Sequence, residues 1–405
     1  MPIDTMSAMA TNTNPAAARP HYDLADISIA LLSGAMLAIT ALFLCVVPFA
    51  GKMAGSRDFV AYYATGRQLV QHADPYDTNA VRQIEHASGL SANGVLLMRN
   101  PPWSLPLAYP LGFFGVRIAA ALWSLMQLGC LLVSVYLIRQ MNGSPPNHLH
   151  WLGISFTPAL ICLTMGQTSI LALLGLTLFL RFHNTRPFGA GAALWLCAMK
   201  PHLLLPLAVV LALWIVVSRS YKIAAGAVMA MAASFLLTWL VDPSAFAHYT
   251  ALMRSPAVVQ EFVPCLSDSM RFLIDRHSVW IQYLPAALAS LWALVYFWCR
   301  RHVWNWAQNG NLLILVSLIA APYAFPYDQS LAIPAVLHGA YTTRKRSLLV
   351  VLTVILALFA LQSIWVKITS PYYLWSAPVW LAWYLLARAP QNLRENAAMA
   401  TAAAD

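Results

Sequence analysis

Asp58, Asn100, Gln167, Lys200, His202, Tyr327 and Asp328 stand out in a chain whose residues are 60% hydrophobic and only 9% charged. They fall in five short clusters at the edges of apolar stretches. Asp58 follows the first stretch, and Asn100 precedes Pro101 and Pro102. Gln167 follows Gly166, Lys200-Pro201-His202 makes a second turn, and Tyr327-Asp328 a third. A carboxylate so placed can take a proton from a hydroxyl, and an ammonium can hold and stabilise an anionic leaving group. Charged groups at or inside a bilayer boundary are costly to keep there and mark function by default. Each residue also has an ordinary reading. Asp58 can pair with Arg57 or cap the following helix. Lys200 can snorkel to the interface. His202 can be a satisfied interfacial histidine. Gln167 can bond turn backbone, Asp328 can pair with a structural arginine, and Tyr327 can belong to an aromatic belt. Five clusters on one face point instead to a single polar chamber.

The elements that position them must be membrane helices. A soluble domain carries about 25% charged residues, so the composition argues against a soluble enzyme. The mean hydropathy of +0.64 argues against disorder. Apolar runs fall at about 27–50, 118–140, 149–164, 169–181, 187–199, 202–218, 222–241, 283–299, 311–323, 329–342, 347–366 and 372–387. The expected fold is therefore all-α, a polytopic membrane protein with about 12 transmembrane helices. Twelve spans of about 20 residues use about 240 positions, which leaves room for ordered loops. Residues 1–26, rich in Ala, Thr and Asn, read as a disordered cytoplasmic tail. Residues 27–388 read as one membrane-embedded domain, and 389–405 as a second cytoplasmic tail. The stretch Ile27 to Ala50 is too long for a signal-peptide core and reads as an uncleaved first span.

Charge orients the chain. With both termini cytoplasmic, the inner side holds Arg19, Arg139, Arg181, Arg186, Arg219, Lys222, Arg300, Arg301, Arg344, Lys345, Arg346, Arg388 and Arg394, more than half of the 24 basic residues. The inner acids, Asp4, Asp23, Asp26, Glu395 and Asp405, all lie in the two tails. Acid-free inner loops with Lys or Arg are the positive-inside pattern. The segment Ser104 to Val116, interrupted by Pro106 and Pro110, is accordingly a short helix or re-entrant piece. Counting it as a span would invert everything after it. This topology puts the loops 51–103 and 242–282 outside, with all five polar clusters. In the first loop, Phe59, Tyr62, Tyr63 and Leu69 recur at helical spacing. That helix either lies on the outer membrane surface or packs on the bundle.

Several chemistries find no motif here. GxxxxGK[ST], HExxH, GxSxG and CxxC are absent. Asp74 and Asp77 flank a proline and read as turn residues, so a metal site is unsupported. The net charge of +10 fits basic inner loops, and no basic run with interleaved aromatics suggests nucleic acid. The oligomeric state is not legible.

Five segments resemble glycosyltransferase family 87, whose members are multi-span transferases of the GT-C class that use polyprenyl-phosphate sugars. They are RDFVAYYATGRQLVQHADPYD at 57–77, NPPWSLPLAYPLG at 100–112, GQTSILALLGLTLFL at 166–180, AGAALWLCAMKPHLLLPL at 190–207 and SLIAAPYAFPYDQSLAIPAVL at 317–337. Mannosyltransferase relatives tend to carry a histidine in the last of these turns, where this chain has Tyr327 and Asp328. The resemblance implies a GT-C-like bundle with external juxtamembrane helices in the cytoplasmic (inner) membrane. It implies a hexosyltransferase, mannosyl transfer being one form. The sugar would pass from a polyprenyl-phosphate donor to an envelope glycan or glycolipid acceptor at a site facing the periplasm or exterior. No further cofactor is implied. Asp58 is similar to the family's catalytic aspartate, and a single activating carboxylate implies inversion. Lys200, His202 and Gln167 would meet the donor phosphate, and Tyr62, Tyr63, Asn100, Tyr327 and Asp328 would line the substrate site. Two alternatives stand beside it: a structural or assembly subunit with no catalysis, which would tolerate loss of Asp58 and Lys200, and a transporter or flippase for a lipid-linked or small polar substrate. Such proteins usually show internal repeats, and no matching halves are apparent here.

Overall fold

The structure is a computed structural model and describes residues 27–40 (without 32, 36 and 39), 58–90, 95–255 and 261–388. The two expected tails, 1–26 and 389–405, and part of the first apolar stretch lie outside the described residues. Among the described residues there are helices and turns and no strands. In chain order the main helices are α1 (Phe59–Val70), α2 (Thr78–Ala87), α3 (Val116–Met141), α4 (Thr157–Met165), α5 (Ser169–Phe182), α6 (Pro187–Cys197) and α7 (Leu205–Val217). There follow α8 (Tyr221–Val241), α9 (Ala245–Met253), α10 (Leu266–Ile274), α11 (Leu284–Arg300), α12 (Trp306–Ala320), α13 (Ile333–Thr342) and α14 (Arg346–Trp365). A last helical run covers 376–388.

Prolines set many of the starts. Pro158, Pro187, Pro206, Pro285 and Pro334 each occupy the first turn of a helix, where the missing N–H costs nothing and the fixed φ favours entry. The short apolar runs of the sequence thus become short helices separated by sharp turns.

Four helical segments are long and apolar enough to cross a membrane: Val116–Met141, Tyr221–Val241, Val279–Val303 and Arg346–Trp365. A fifth is obtained if Pro187–Cys197 and Pro201–Val217, bent by 119°, count as one broken span. The apolar runs at 187–199 and 202–218 therefore form a bent pair. Pro201 removes a donor and excludes Lys200 from the helical region, and Lys200 indeed has φ −134° and ψ 66°. The stretches His150–Met165, Ser169–Phe182 and Trp306–Ala320 are apolar but shorter. Leu125, Val228, Leu288 and Leu358, one from each long helix, are exposed. Such outward apolar faces require an apolar surrounding. The molecule is a polytopic membrane protein.

The inner helices are buried nearly all round. In α4 the residues Thr157 to Leu163 are buried, and α13 is similarly enclosed. They lie in a large apolar core that includes Phe156, Leu173, Phe179, Trp306, Leu337 and Trp380. A second, smaller cluster joins Phe59, Tyr62, Leu69, Trp123, Leu171 and Met199. It fixes α1, whose residues from Phe59 to Gly66 are all buried. Of the two sequence readings for this helix, packing on the bundle is the one realised. A membrane-surface helix would leave one face open. Gly66 makes the approach possible: a Cβ there would stand 2.3 Å from the carbonyl oxygen of Ala108, and one on Gly112 would stand 2.1 Å from that of Gly66.

The loop aspartates behave as turn residues. Asp74 accepts from the Tyr76 amide at 2.8 Å. Asp77 caps α2 by accepting from Asn79 N at 2.8 Å and Ala80 N at 3.3 Å. Ser104 to Phe113 forms short helical turns broken around Pro106 and Pro110, as the sequence expects.

Candidate active site

Four helix ends meet at one place. Asp58 precedes α1, Gly166-Gln167 closes α4, Lys200 closes α6, and Asp328 lies in the turn after α12.

The Gln167 turn is the centre. Gly166 takes the left-handed conformation, φ +77°, which glycine adopts without the penalty of a Cβ. A side chain there would also meet Phe59 Cβ at 2.7 Å. The turn's carbonyls are held from α3: Trp123 Nε1 donates to Gly166 O at 2.7 Å, and Gln127 Nε2 to Gln167 O at 2.8 Å. With its backbone fixed, the Gln167 side chain links three residues. Its Oε1 accepts from Tyr62 OH at 3.1 Å and from Lys200 Nζ at 3.2 Å. Its Nε2 donates to Asp58 Oδ2 at 2.8 Å. Two donors on the oxygen define which way the amide points, so the nitrogen must face the carboxylate.

Asp58 stands at the cap position of α1, but its side chain makes no capping bond. It turns to Gln167 instead. Lys200 satisfies its three donors on Gln167, on Ser169 Oγ at 3.1 Å and on Asp328 Oδ1 at 2.7 Å. Its ammonium also lies 4.8 Å from the Tyr327 ring centre, within cation–π range. Asp328 is committed on both oxygens. Oδ1 accepts from Ser169 and Lys200, and Oδ2 from the Phe325 amide at 2.8 Å. Its partner is thus a lysine of the site rather than a separate structural arginine. Three of the carboxylate's roughly four acceptor sites are thus taken by the protein.

These residues line a cavity of about 480 Å³, a size suited to a small-molecule portion of a substrate. Asp58, Tyr62, Asn100, Gln167, Lys200, His202, Tyr327 and Asp328 are all on its wall. Tyr63 is not. One residue further along α1 turns its side chain by about 100°, and its hydroxyl donates to Phe114 O at 3.4 Å. Asn100 spends its amide nitrogen on the scaffold, donating to Met199 O at 3.0 Å and Thr168 Oγ1 at 3.4 Å. His202 stacks on Tyr323 with ring centres 3.6 Å apart. Its Nε2 finds no hydrogen-bond partner among the described residues. Tyr62 stacks on Trp123 at 5.1 Å. Burial raises its phenol well above the ordinary range, and the nearby Asp58 carboxylate adds to this, so Tyr62 is a donor.

The cavity also takes residues from outside the five clusters. Arg99 and Arg271, the sequence's reserve candidates for the phosphate after Lys200, line it together with Glu261 and Tyr323. Ser169, Trp123 and Gln127 support it from behind. Gln127, fully buried in the middle of a largely apolar helix, carried a legible signal, since polar residues inside membrane segments mark function. Arg271 was legible only as a reserve cation, because its burial comes from a fold that a polar loop sequence does not announce.

A family model described as glycosyltransferase family 87 matches residues 99–326, more than half of the chain. The chain belongs to glycosyltransferase family 87. With its apolar helices, it is a membrane glycosyltransferase. The family 87 match takes in Asn100, Gln167, Lys200 and His202, while Asp58 precedes it and Tyr327 and Asp328 follow its end. No curated protein and no solved structure matches the chain.

Proposed function

We propose that this family 87 transferase moves a hexosyl group from a polyprenyl-phosphate donor to an envelope glycan or glycolipid, with inversion at the reacting carbon. Mannosyl transfer is one form of that reaction. In this reading Asp58 takes the proton of the acceptor hydroxyl as its oxygen attacks the anomeric carbon. The bond from that carbon to the phosphate oxygen breaks, and polyprenyl phosphate leaves with the electron pair. The phosphate lies on the side of the cavity walled by Lys200, His202 and Gln167, where the lysine, itself paired with Asp328, sets the polarity of the wall and His202 Nε2 has no hydrogen-bond partner among the described residues. Tyr62, Tyr327 and Asn100 wall the sugar, and Asp328 holds the lysine in place. The leaving group carries its own negative charge, so the reaction calls on no nucleotide site. The chain is read as a GT-C-like bundle of about twelve spans in the cytoplasmic membrane, with the cavity toward the periplasm or exterior.

The observation that carries this reading is the separation of Asp58 from Lys200. Both line one cavity, and the Gln167 amide bridges them, while the lysine's ion pair goes to Asp328. A base must stay available for the acceptor while the cationic side meets the donor. The test is transfer from a polyprenyl-phosphate hexose by purified protein, combined with mass spectrometry of envelope glycolipids from a deletion strain and its parent. An unchanged glycolipid and glycan profile, with no transfer in vitro, would sink the proposal.

A further inference from the structure

The cavity's charges are nearly all spoken for by the protein itself, and this restricts where an anion can bind. Among the described residues on its wall the cations are Lys200, Arg271 and Arg99. Lys200 has all three donors on protein oxygens, and its pair with Asp328 is secluded, with side chains 11% and 2% exposed. Arg271 is 3% exposed and donates through Nε and Nη2 to Asp268 Oδ1, each at 2.8 Å. Opening either pair would leave a buried charge uncompensated, which is strongly unfavourable. Arg99 differs. It pairs with Glu261, and the two side chains are 34% and 33% exposed. A pair in contact with water is weak and opens readily.

Both backbones of this pair are fixed while the side chains stay open to exchange. The Arg99 carbonyl accepts from Tyr249 OH at 3.3 Å, and neighbouring Asn100 is bonded to Met199 O, next to Lys200. The Glu261 carbonyl accepts from Arg271 Nη2 at 3.3 Å. The buried Asp268 holds the Val263 amide at 2.6 Å. The Arg271–Asp268 pair thus serves as a brace for the wall that carries Glu261.

We propose that Arg99 takes up the phosphate of an anionic lipid, exchanging the Glu261 carboxylate for it, and that Glu261 occupies the arginine until the lipid arrives. The planar guanidinium suits a phosphate's paired oxygens, and Asn100 joins it to the Lys200 wall. This rests on the lipid-phosphate donor of the proposed function.

The experiment is calorimetric titration of the purified full chain in detergent with sugar-free polyprenyl phosphate and with the uncharged polyprenol. The variants are Arg99→Met, Glu261→Gln and the two together. Arg99→Met should weaken polyprenyl phosphate about tenfold to a hundredfold, the loss of a charge-assisted hydrogen bond, and leave polyprenol unchanged. Glu261→Gln should tighten polyprenyl phosphate by about two- to fivefold, a gain that a misfolded protein cannot show. The double variant should lose that gain. If the unsubstituted protein prefers the phosphate but Arg99→Met keeps the same preference, or if Glu261→Gln weakens binding, the Arg99 assignment falls and the donor reading stands. If the unsubstituted protein binds polyprenol and polyprenyl phosphate alike, the donor reading fails and the assignment with it.

Discussion

Gln167 donates from Nε2 to Asp58 Oδ2 across 2.8 Å, tying a turn inside the bundle to the start of a helix 109 residues earlier in the chain. The same side chain accepts from Lys200 through Oε1. One uncharged amide therefore holds a carboxylate and an ammonium in one cavity without letting them pair. For Asp58 as the base, the Asp58→Asn substitution keeps the shape and removes proton acceptance. Turnover by folded protein should fall about 10²–10⁴-fold. A near wild-type rate in Asp58→Asn with an inactive Asp328→Asn, both purified and folded, would move the role to Asp328.

The Lys200–Asp328 pair makes a different prediction, about stability. Its carboxylate is 2% exposed, so removing one partner leaves the other buried and unpaired. Lys200→Met and Asp328→Asn should each cost about 3–5 kcal/mol. The double substitution should cost less than the sum of the two, because no orphaned charge remains. Thermal unfolding of the four proteins in detergent forms the cycle. Additive losses would show that the pair is not coupled.

Glu85 should make stability depend on pH. It is fully buried and accepts from the Leu96 amide through Oε1 at 3.2 Å and Oε2 at 3.1 Å. Burial pushes its carboxyl up from 4.5 to about 7, against the lowering effects of the Leu96 amide and Arg82. A folded-state value above the unfolded one means that protonation favours the fold. The contribution is complete below about 4.5 and is lost as the pH rises through about 7. Glu85→Gln remains uncharged, so it should gain on the wild type by up to ~3 kcal/mol across that window. Parallel melting curves of the two proteins from pH 4.5 to 8 would refute this.

Topology is tested by reporter fusions. The sequence expects Arg139, Arg219 and Arg346 on the cytoplasmic side, from the basic residues and acid-free inner loops. Fusions after each should report cytoplasm. A periplasmic signal at Arg219 would overturn the arrangement from there onward.

The sequence by itself determined the class of molecule and picked out most of the polar side chains that share the cavity wall. With 9% charged residues, the few polar side chains beside apolar runs could be picked out without coordinates. Asp58, Gln167, Lys200 and Asp328 were legible because water-seeking groups are rare and conspicuous in such a chain. Their convergence was not legible. Asp58 and Gln167, or Lys200 and Asp328, are joined only because short helices stop at one level, which depends on packing around Gly66, Gly166 and the Pro201 bend. Nor could sequence tell which charges are already neutralised. Lys200 reads as a spare cation in one dimension, yet its three bonds to Gln167, Ser169 and Asp328 commit it to the scaffold. Arg99 reads only as a reserve cation in a loop, yet it stands on the cavity wall with a water-exposed partner. Tyr63 had the same sequence credentials as Tyr62, and the helical rotation of a single residue sent it elsewhere. Periodicity and composition are properties of the chain, so they can be read along it. Pairing and seclusion from water are properties of neighbours brought together from distant positions, and only the tertiary structure decides them.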